Sequence, residues 1–205
     1  MEDQFIDLIR NGNLKEIQEF YNNNPAINIS FDDEHAFCCA CHNGHLEVAK
    51  WLLEIKPDIN ISINDEGPFR RACGEGQIHV AKWLLEIKPD IDISIDNDYA
   101  FRCVCAHGHL DTAKWLLEIK PDIVISADAF ITACRYKNID VALWLATLEP
   151  RYIVVMKEDY IIDYYVVEKV NNDITNTTQK ESNDEPSENP VEIQKDQTHS
   201  FCIIF

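Results

Sequence analysis

The residues of this 205-residue chain with the most chemistry in them are its eight cysteines and seven histidines, and several crowd together. Cys38, Cys39, Cys41, His42 and His45 form one group; Cys103, Cys105, His107 and His109 form another. Thiolate and imidazole at such short spacings invite a zinc reading, which needs four ligands converging tetrahedrally, often as a Cys-x2-4-Cys pair with a second pair elsewhere. They also invite thiol catalysis, which needs a base within hydrogen-bond reach of the sulfur and a third group to orient it. Adjacency along the chain supplies neither. No phosphate loop, nucleophile elbow or HExxH motif is present. No catalytic residue, metal or cofactor is therefore expected. A metal-dependent or thiol enzyme stands only as a competing class, one that stoichiometric metal in the purified protein would revive.

The elements that must position these residues give a better account of them. Trp51, Trp83 and Trp115 are 32 residues apart and Trp144 follows after 29. The segment Ala-Lys-Trp-Leu-Leu-Glu-Ile-Lys-Pro-Asp-Ile recurs unchanged at 49–59, 81–91 and 113–123. Within one unit Phe37, Ala40 and Cys41 make a helical stripe that Gly44 ends, and Leu46, Ala49, Leu52 and Leu53 make a second that stops before Pro57. The following Asp58-Ile-Asn-Ile-Ser-Ile-Asn-Asp alternates β-branched and polar residues, which predicts an extended hairpin arm. Cys41, Cys73, Cys105 and Cys134 recur at one position of this unit, where cysteine acts as a small buried hydrophobe.

Helix, tight turn, helix and extended loop in 32 residues resembles the ankyrin repeat, whose period is about 33. The family's Thr-Pro-Leu-His, small pair and Gly-His correspond to His35-Ala-Phe-Cys, Ala40-Cys41 and Gly44-His45. They correspond next to Gly67-Pro-Phe-Arg, Ala72-Cys73 and Gly76-Gln77, and then to Tyr99-Ala-Phe-Arg, Val104-Cys105 and Gly108-His109. A weaker unit carries Asp128-Ala-Phe-Ile, Ala133-Cys134 and Lys137-Asn138, and a further one precedes them all, with Gly12, Leu14, Pro25, Ile27, Ile29 and Ser30 each 32 residues before its counterpart. Phenylalanine replaces the family's leucine and the capping histidine is missing, which bears on the hydrogen bonds at the start of the first helix. Three residues are missing after Ser126, so the fourth hairpin should be short. The near-identical units and the Asn, Ile, Lys and Asp bias are similar to ankyrin proteins encoded by giant DNA viruses of amoebae.

The resemblance implies an all-α ankyrin-repeat solenoid of about five helix-turn-helix units, near 3–34, 35–66, 67–98, 99–127 and 128–152. A cap of strand-leaning sequence is expected at 153–170 and a disordered acidic tail at 171–205. Stacked units need polar outer faces at their ends. Asp7, Arg10, Lys15, Glu16, Gln18 and Glu19 supply one in the first unit. The tryptophans should pack between repeats, and Lys50 with Glu54, Lys82 with Glu86 and Lys114 with Glu118 should make i, i+4 pairs on a solvated face.

By the same resemblance, first helices and hairpin tips line the concave, partner-binding side. The units differ most there while the second helix is frozen across three copies. The candidate partner-binding residues are His35, Cys39 and His42; Asn64, Asp65 and Glu66; Arg71 and Glu75; Asp96, Asn97 and Asp98; Tyr99, Cys103 and His107; and Thr132 and Arg135. Cys39 and Cys103 are expected at the surface. Neutral drift at exposed positions is the competing account.

The charge of -18, from 36 acidic and 18 basic residues, excludes a nucleic-acid binder, which needs a basic surface. Acidic tips suit a basic or polar partner. With no signal-like start, the thiols are expected to be reduced and the chain to be a cytoplasmic monomer. Residues 171–200 hold seven acids and two bases, a net of -5, and then the chain turns apolar. Cys202-Ile203-Ile204-Phe205 matches the C-a-a-X pattern, with phenylalanine last favouring a geranylgeranyl group on Cys202. That makes the chain a candidate prenyltransferase substrate with membrane association through the lipid. The alternatives are an unlipidated scaffold or decoy whose end packs on the fold or fills a PDZ-type groove.

Overall fold

The computed structural model describes residues 1–157 and 160–167. Ten helices pair into five helix-turn-helix units: α1 (Glu2–Asn11) with α2 (Leu14–Asn23), α3 (Phe31–His42) with α4 (Leu46–Ile55), α5 (Ile63–Gly74) with α6 (Ile78–Ile87), α7 (Ile95–His107) with α8 (Leu110–Ile119), and α9 (Ala127–Arg135) with α10 (Ile139–Leu148). The first helices α1, α3, α5, α7 and α9 pack on one another in an unbroken column, and each second helix rests on the first helix of its own unit. The small residues Ala40, Ala72 and Ala133 on the first helices are fully buried, which lets their backbones approach closely. The side with the closer helices is the inner side of the stack.

One column of aromatic side chains holds the units together. Phe5, Phe37, Phe69, Phe101 and Phe130 are each at most 1% exposed, and Leu52, Leu84, Leu116 and Leu145 are completely buried beside them. Burial of one such side chain is worth about 1.5–3 kcal/mol, so the ring that replaces the family's leucine is the main core element. The tryptophans complete it between repeats: Phe37 lies 6.3 Å from Trp83 and Phe101 6.3 Å from Trp144. Tyr21 meets Trp51 edge-on at 5.6 Å, and Lys82 lies over the Trp115 ring.

Each inter-helix glycine is a seat for the next repeat. Gly76 has φ 71°, a left-handed conformation that glycine adopts without a steric penalty, and a Cβ on it would stand 2.5 Å from His109 Nδ1. His45, at the same position one unit before Gln77 and two before His109, donates from Nε2 to the Arg10 carbonyl at 2.9 Å. Asn138 donates to the carbonyls of Cys105 and Ala106, at 3.3 and 2.6 Å.

The loops between units depart from the extended arm expected of Asp58–Asp65. No strand forms there. Instead Asn60 Oδ1 accepts from the Ser62 amide at 3.1 Å, and Asn28 and Asp92 do the same for Ser30 and Ser94, so an Asx turn overrides the β-branched alternation. Three consecutive residues then turn left-handed: Asp32-Asp33-Glu34, Asn64-Asp65-Glu66 and Asp96-Asn97-Asp98, with φ between 51° and 59°. The last residue of each triplet points inward. Glu34 and Glu66 accept from the Ser30 and Ser62 hydroxyls at 2.7 and 2.6 Å. Glu34 also receives the Asn60 amide at 3.5 Å and Asp98 the Val124 amide at 3.1 Å, both 26 residues further on. Pro68 opens the right-handed part of α5, where its fixed φ and missing N–H do no harm. After Ser126 the left-handed triplet is gone, and the Ser126 hydroxyl caps α9 directly, accepting from Ala129 N at 3.3 Å.

Beyond α10, β1 (Tyr152–Lys157) and β2 (Tyr160–Val166) form an antiparallel hairpin, with Tyr152 opposite Val166. Tyr152 stacks on Phe130 with centroids 4.4 Å apart and donates its hydroxyl to the Ile125 carbonyl at 2.7 Å, covering the last unit's open face. Charged pairs also differ from expectation: Lys50 reaches back to Glu47 at 2.9 Å and not to Glu54, and Lys56, Lys88 and Lys120 clamp the aspartates that follow Pro57, Pro89 and Pro121.

Candidate functional site

The inner column of first helices is not smooth. A hollow of about 360 Å³ opens where α5 faces α3 and α7, lined by His42, Asn64, Gly67, Arg70, Arg71, Gly74, Glu75, Tyr99, Cys103 and His107. The repeat register explains it. Gly67 stands where the neighbouring units have His35 and Tyr99, and Gly74 where they have His42 and Ala106, so the middle unit lacks two side chains on one face. A Cβ on Gly67 would meet only Asn64 Cβ, at 3.5 Å. The hollow is therefore room left by missing side chains, with no backbone distortion behind it.

Its walls are ordered by polar contacts. His107 Nδ1 donates to the Gly74 carbonyl at 2.6 Å. Glu75 sits between two imidazoles, 3.8 Å from His42 Nδ1 and 3.8 Å from His107 Nδ1. Arg70 donates to the Asn64 carbonyl at 2.8 Å, lies 3.9 Å from Asp96, and stacks over Tyr99 with its guanidinium carbon 4.9 Å from the ring centre. Arg102 lies 5.6 Å from the same ring. A hydrogen bond with Cys103 raises the Tyr99 hydroxyl's pKa above its ordinary value. Arg71 is exposed, and no carboxylate among the described residues lies within ion-pair distance of it.

The sixteen candidate residues divide accordingly. His42, Asn64, Arg71, Glu75, Tyr99, Cys103 and His107 converge on the hollow, and Asp96 reaches its rim through Arg70. His35 lies apart, 3.6 Å from Asp32, while Asp65 and Asn97 are exposed on the tips. Thr132 is half-buried on α9, and Arg135 donates to the Tyr164 hydroxyl at 3.3 Å. Three expectations are corrected. Cys39 is buried, because its position faces the neighbouring first helix, and Glu66 and Asp98 are buried because the left-handed turns swing them inward. Two of the acids expected at the binding surface thus serve the fold. Arg70, Gly67 and Gly74 are not among the candidates; the register comparison carries a signal for the two glycines, as side chains missing relative to the neighbouring units, and none for Arg70, which Arg102 repeats.

The buried thiols are structural. Burial raises the pKa of Cys38 to about 11 and of Cys134 to about 12, and pushes Cys41, Cys73 and Cys105 well up. Such groups are protonated at neutral pH, and the nucleophilic form is the thiolate. Among the described residues no three His, Cys, Asp or Glu side chains are placed to hold a metal ion. Cys202 and the tail from 171 to 205 lie outside the described residues, as do 168–170 of the expected cap. No described helix is long and apolar enough to cross a membrane.

The stacked helix pairs form an ankyrin-repeat solenoid, and the family model for ankyrin repeats (3 copies) matches residues 5–97. Comparison with curated proteins finds no match. Ankyrin repeats are in general protein-protein interaction modules and not catalysts.

Proposed function

We propose that this chain binds a protein partner through the inner face of its first helices and the adjoining turn tips, as a non-enzymatic scaffold acting as a monomer in the cytoplasm. The observation that supports this reading most is where the units differ. The second helices of the three middle units share Ala-Lys-Trp-Leu-Leu-Glu-Ile, whereas the first-helix positions around α5 differ in charge and size and so build a hollow of about 360 Å³. Recognition of one partner needs a surface that is not periodic, and among these three units the first-helix face departs most from the repeat.

The test is affinity capture of partners by the wild-type chain and two surface variants, followed by binding measurements with the purified partner. Arg71→Glu with Tyr99→Ala alters the inner face; Lys50→Ala with Lys114→Ala alters the outer helices. Loss of the partner with the first variant and retention with the second is expected, and the reverse pattern refutes the reading. The expectation of a lipid on Cys202 is checked separately by intact mass after expression in a eukaryotic cell, with Cys202→Ser as control; an unmodified Cys202 ends it.

A further inference from the structure

We infer that the hollow on α5 receives an acidic side chain, a carboxylate carried by a peptide segment of the partner, and that Arg71 is the group that meets it. The inference rests on the reading of the inner face as the binding surface. The hollow exists in one unit, because glycine replaces a bulky residue at position 67 and a larger one at 74. Its depth is thus addressed to something particular, and the chemistry of its lining says what.

Donors dominate that lining. Arg70, Arg71, Asn64 and Tyr99 all present N–H or O–H groups, and Glu75 is the single carboxylate. Glu75 lies 3.8 Å from each of the His42 and His107 imidazoles. Arg70 meets Asp96, the Asn64 carbonyl and the Tyr99 ring, but its Nε is buried without a hydrogen-bond partner. Arg71 has no carboxylate within ion-pair distance among the described residues. At its repeat-equivalent positions stand Cys39 and Cys103, which carry no such charge. A guanidinium presents a planar fork of donors that matches a carboxylate. The ligand's head is therefore an anionic acceptor, on a stem short enough for the hollow.

Magnitude decides between a free small acid and a peptide. An arginine–carboxylate pair this open to water gives a modest gain, so a short acid binds weakly and a longer segment is needed for a stable complex. The exposed tips at Asp65 and Asn97 beside the hollow offer further surface to a longer ligand, and there the Asp65 carboxylate suits a basic or polar residue flanking the acidic one. The pocket is a specificity element within a larger contact: it selects an acidic residue and rejects a basic one, by about fivefold in affinity relative to the uncharged isostere.

The probes are three short peptides, acetyl-Gly-Glu-Gly-amide and its glutamine and lysine counterparts, titrated against the isotope-labelled full chain by nuclear magnetic resonance. The glutamate peptide should shift the amide signals of Gly67, Arg71 and Gly74, with the glutamine peptide about fivefold weaker and the lysine peptide inactive. Arg71→Gln should erase the preference. Gly67→Tyr should erase the binding with the fold intact, since Tyr99 occupies that position in the next unit. Equal shifts from glutamate and glutamine peptides, or no shift at all, overturn the proposal; equal shifts confined to the inner face leave the broader reading standing. Shifts confined to α4, α6 and α8 overturn both.

Discussion

Replacing Asp98 by glutamate should stabilise the protein, although it lengthens a buried acid in a left-handed turn. In two of the three turns the inward acid is glutamate, and it accepts from a serine hydroxyl four residues earlier, at 2.7 Å for Glu34 and 2.6 Å for Glu66. Asp98 is one methylene shorter. It spends Oδ2 on the Val124 amide at 3.1 Å, and its Oδ1 is buried without a hydrogen-bond partner. A buried acceptor left unsatisfied costs about 1–3 kcal/mol, and the extra buried methylene adds about 0.8 kcal/mol. Against these stand about 1 kcal/mol of side-chain entropy and the preference of Asp over Glu for left-handed backbone. Glu66 already adopts φ 59°, so the geometry is attainable. The net expectation is about 1 kcal/mol of added stability, or a Tm higher by roughly 2–4 °C for a chain of this size. Thermal and urea unfolding followed by circular dichroism measure it. A variant no more stable than wild type refutes the argument, as does a gain that persists when Ser94→Ala removes the hydroxyl. Glu66→Asp should lose about as much as Asp98→Glu gains.

Other consequences follow from the same packing. Phe69→Ala should destabilise by about 3–5 kcal/mol, read by urea unfolding. Gly76→Ala should destabilise through both its positive φ and its collision with His109, whereas Gly67→Ala should be neutral or slightly stabilising; thermal melts of the two variants separate these outcomes. Burial, with a contribution from His107, holds the His109 pKa below the ordinary imidazole value. The unfolded chain then takes up a proton first as pH falls, so stability is full above about pH 6.5 and declines as pH drops through the folded value. His109→Gln, the residue type at position 77, should flatten that decline. Alkylation of the native protein should modify Cys103 well before Cys38, Cys41, Cys73, Cys105 or Cys134, as peptide mass spectrometry after a short pulse will record, because Cys103 is the described cysteine that is not buried.

The fold was legible because repetition amplifies weak signals. Trp51, Trp83 and Trp115 fix the period, and the cysteine at 41, 73, 105 and 134 fixes a buried position without any need to know its neighbours. The loops depart from their sequence pattern for a physical reason. Ile59-Asn-Ile-Ser-Ile has strand propensity, but Asn60 and its counterparts close Asx turns before any strand can find a partner, and a triplet of non-glycine left-handed residues has no simple sequence signature. The same turns reverse the direction of Glu66 and Asp98, which is why acids that read as surface are interior. The candidate site was half visible. Residues added relative to the neighbouring units, such as Arg71 and Glu75, stand out in a register comparison. Residues subtracted, Gly67 and Gly74, stand out only when absence is read as volume. Arg70 was hidden because Arg102 repeats it one unit later and makes it look periodic.

The inward acids also govern how long such an array can be. Two of the three tips are tied to the following loop: the Glu34 carboxylate receives the Asn60 amide and the Asp98 carboxylate the Val124 amide, each 26 residues on. A unit that keeps both groups supplies what its neighbour requires. The unit after Ser126 has lost the three tip residues and with them the acceptor, and Tyr152 closes onto the Ile125 carbonyl in their place. It is a chain terminator. A copy of residues 67–98 placed before Ser126 would keep the inward tip acid, whereas a unit appended after Ser126 would find no tip carboxylate to bond to.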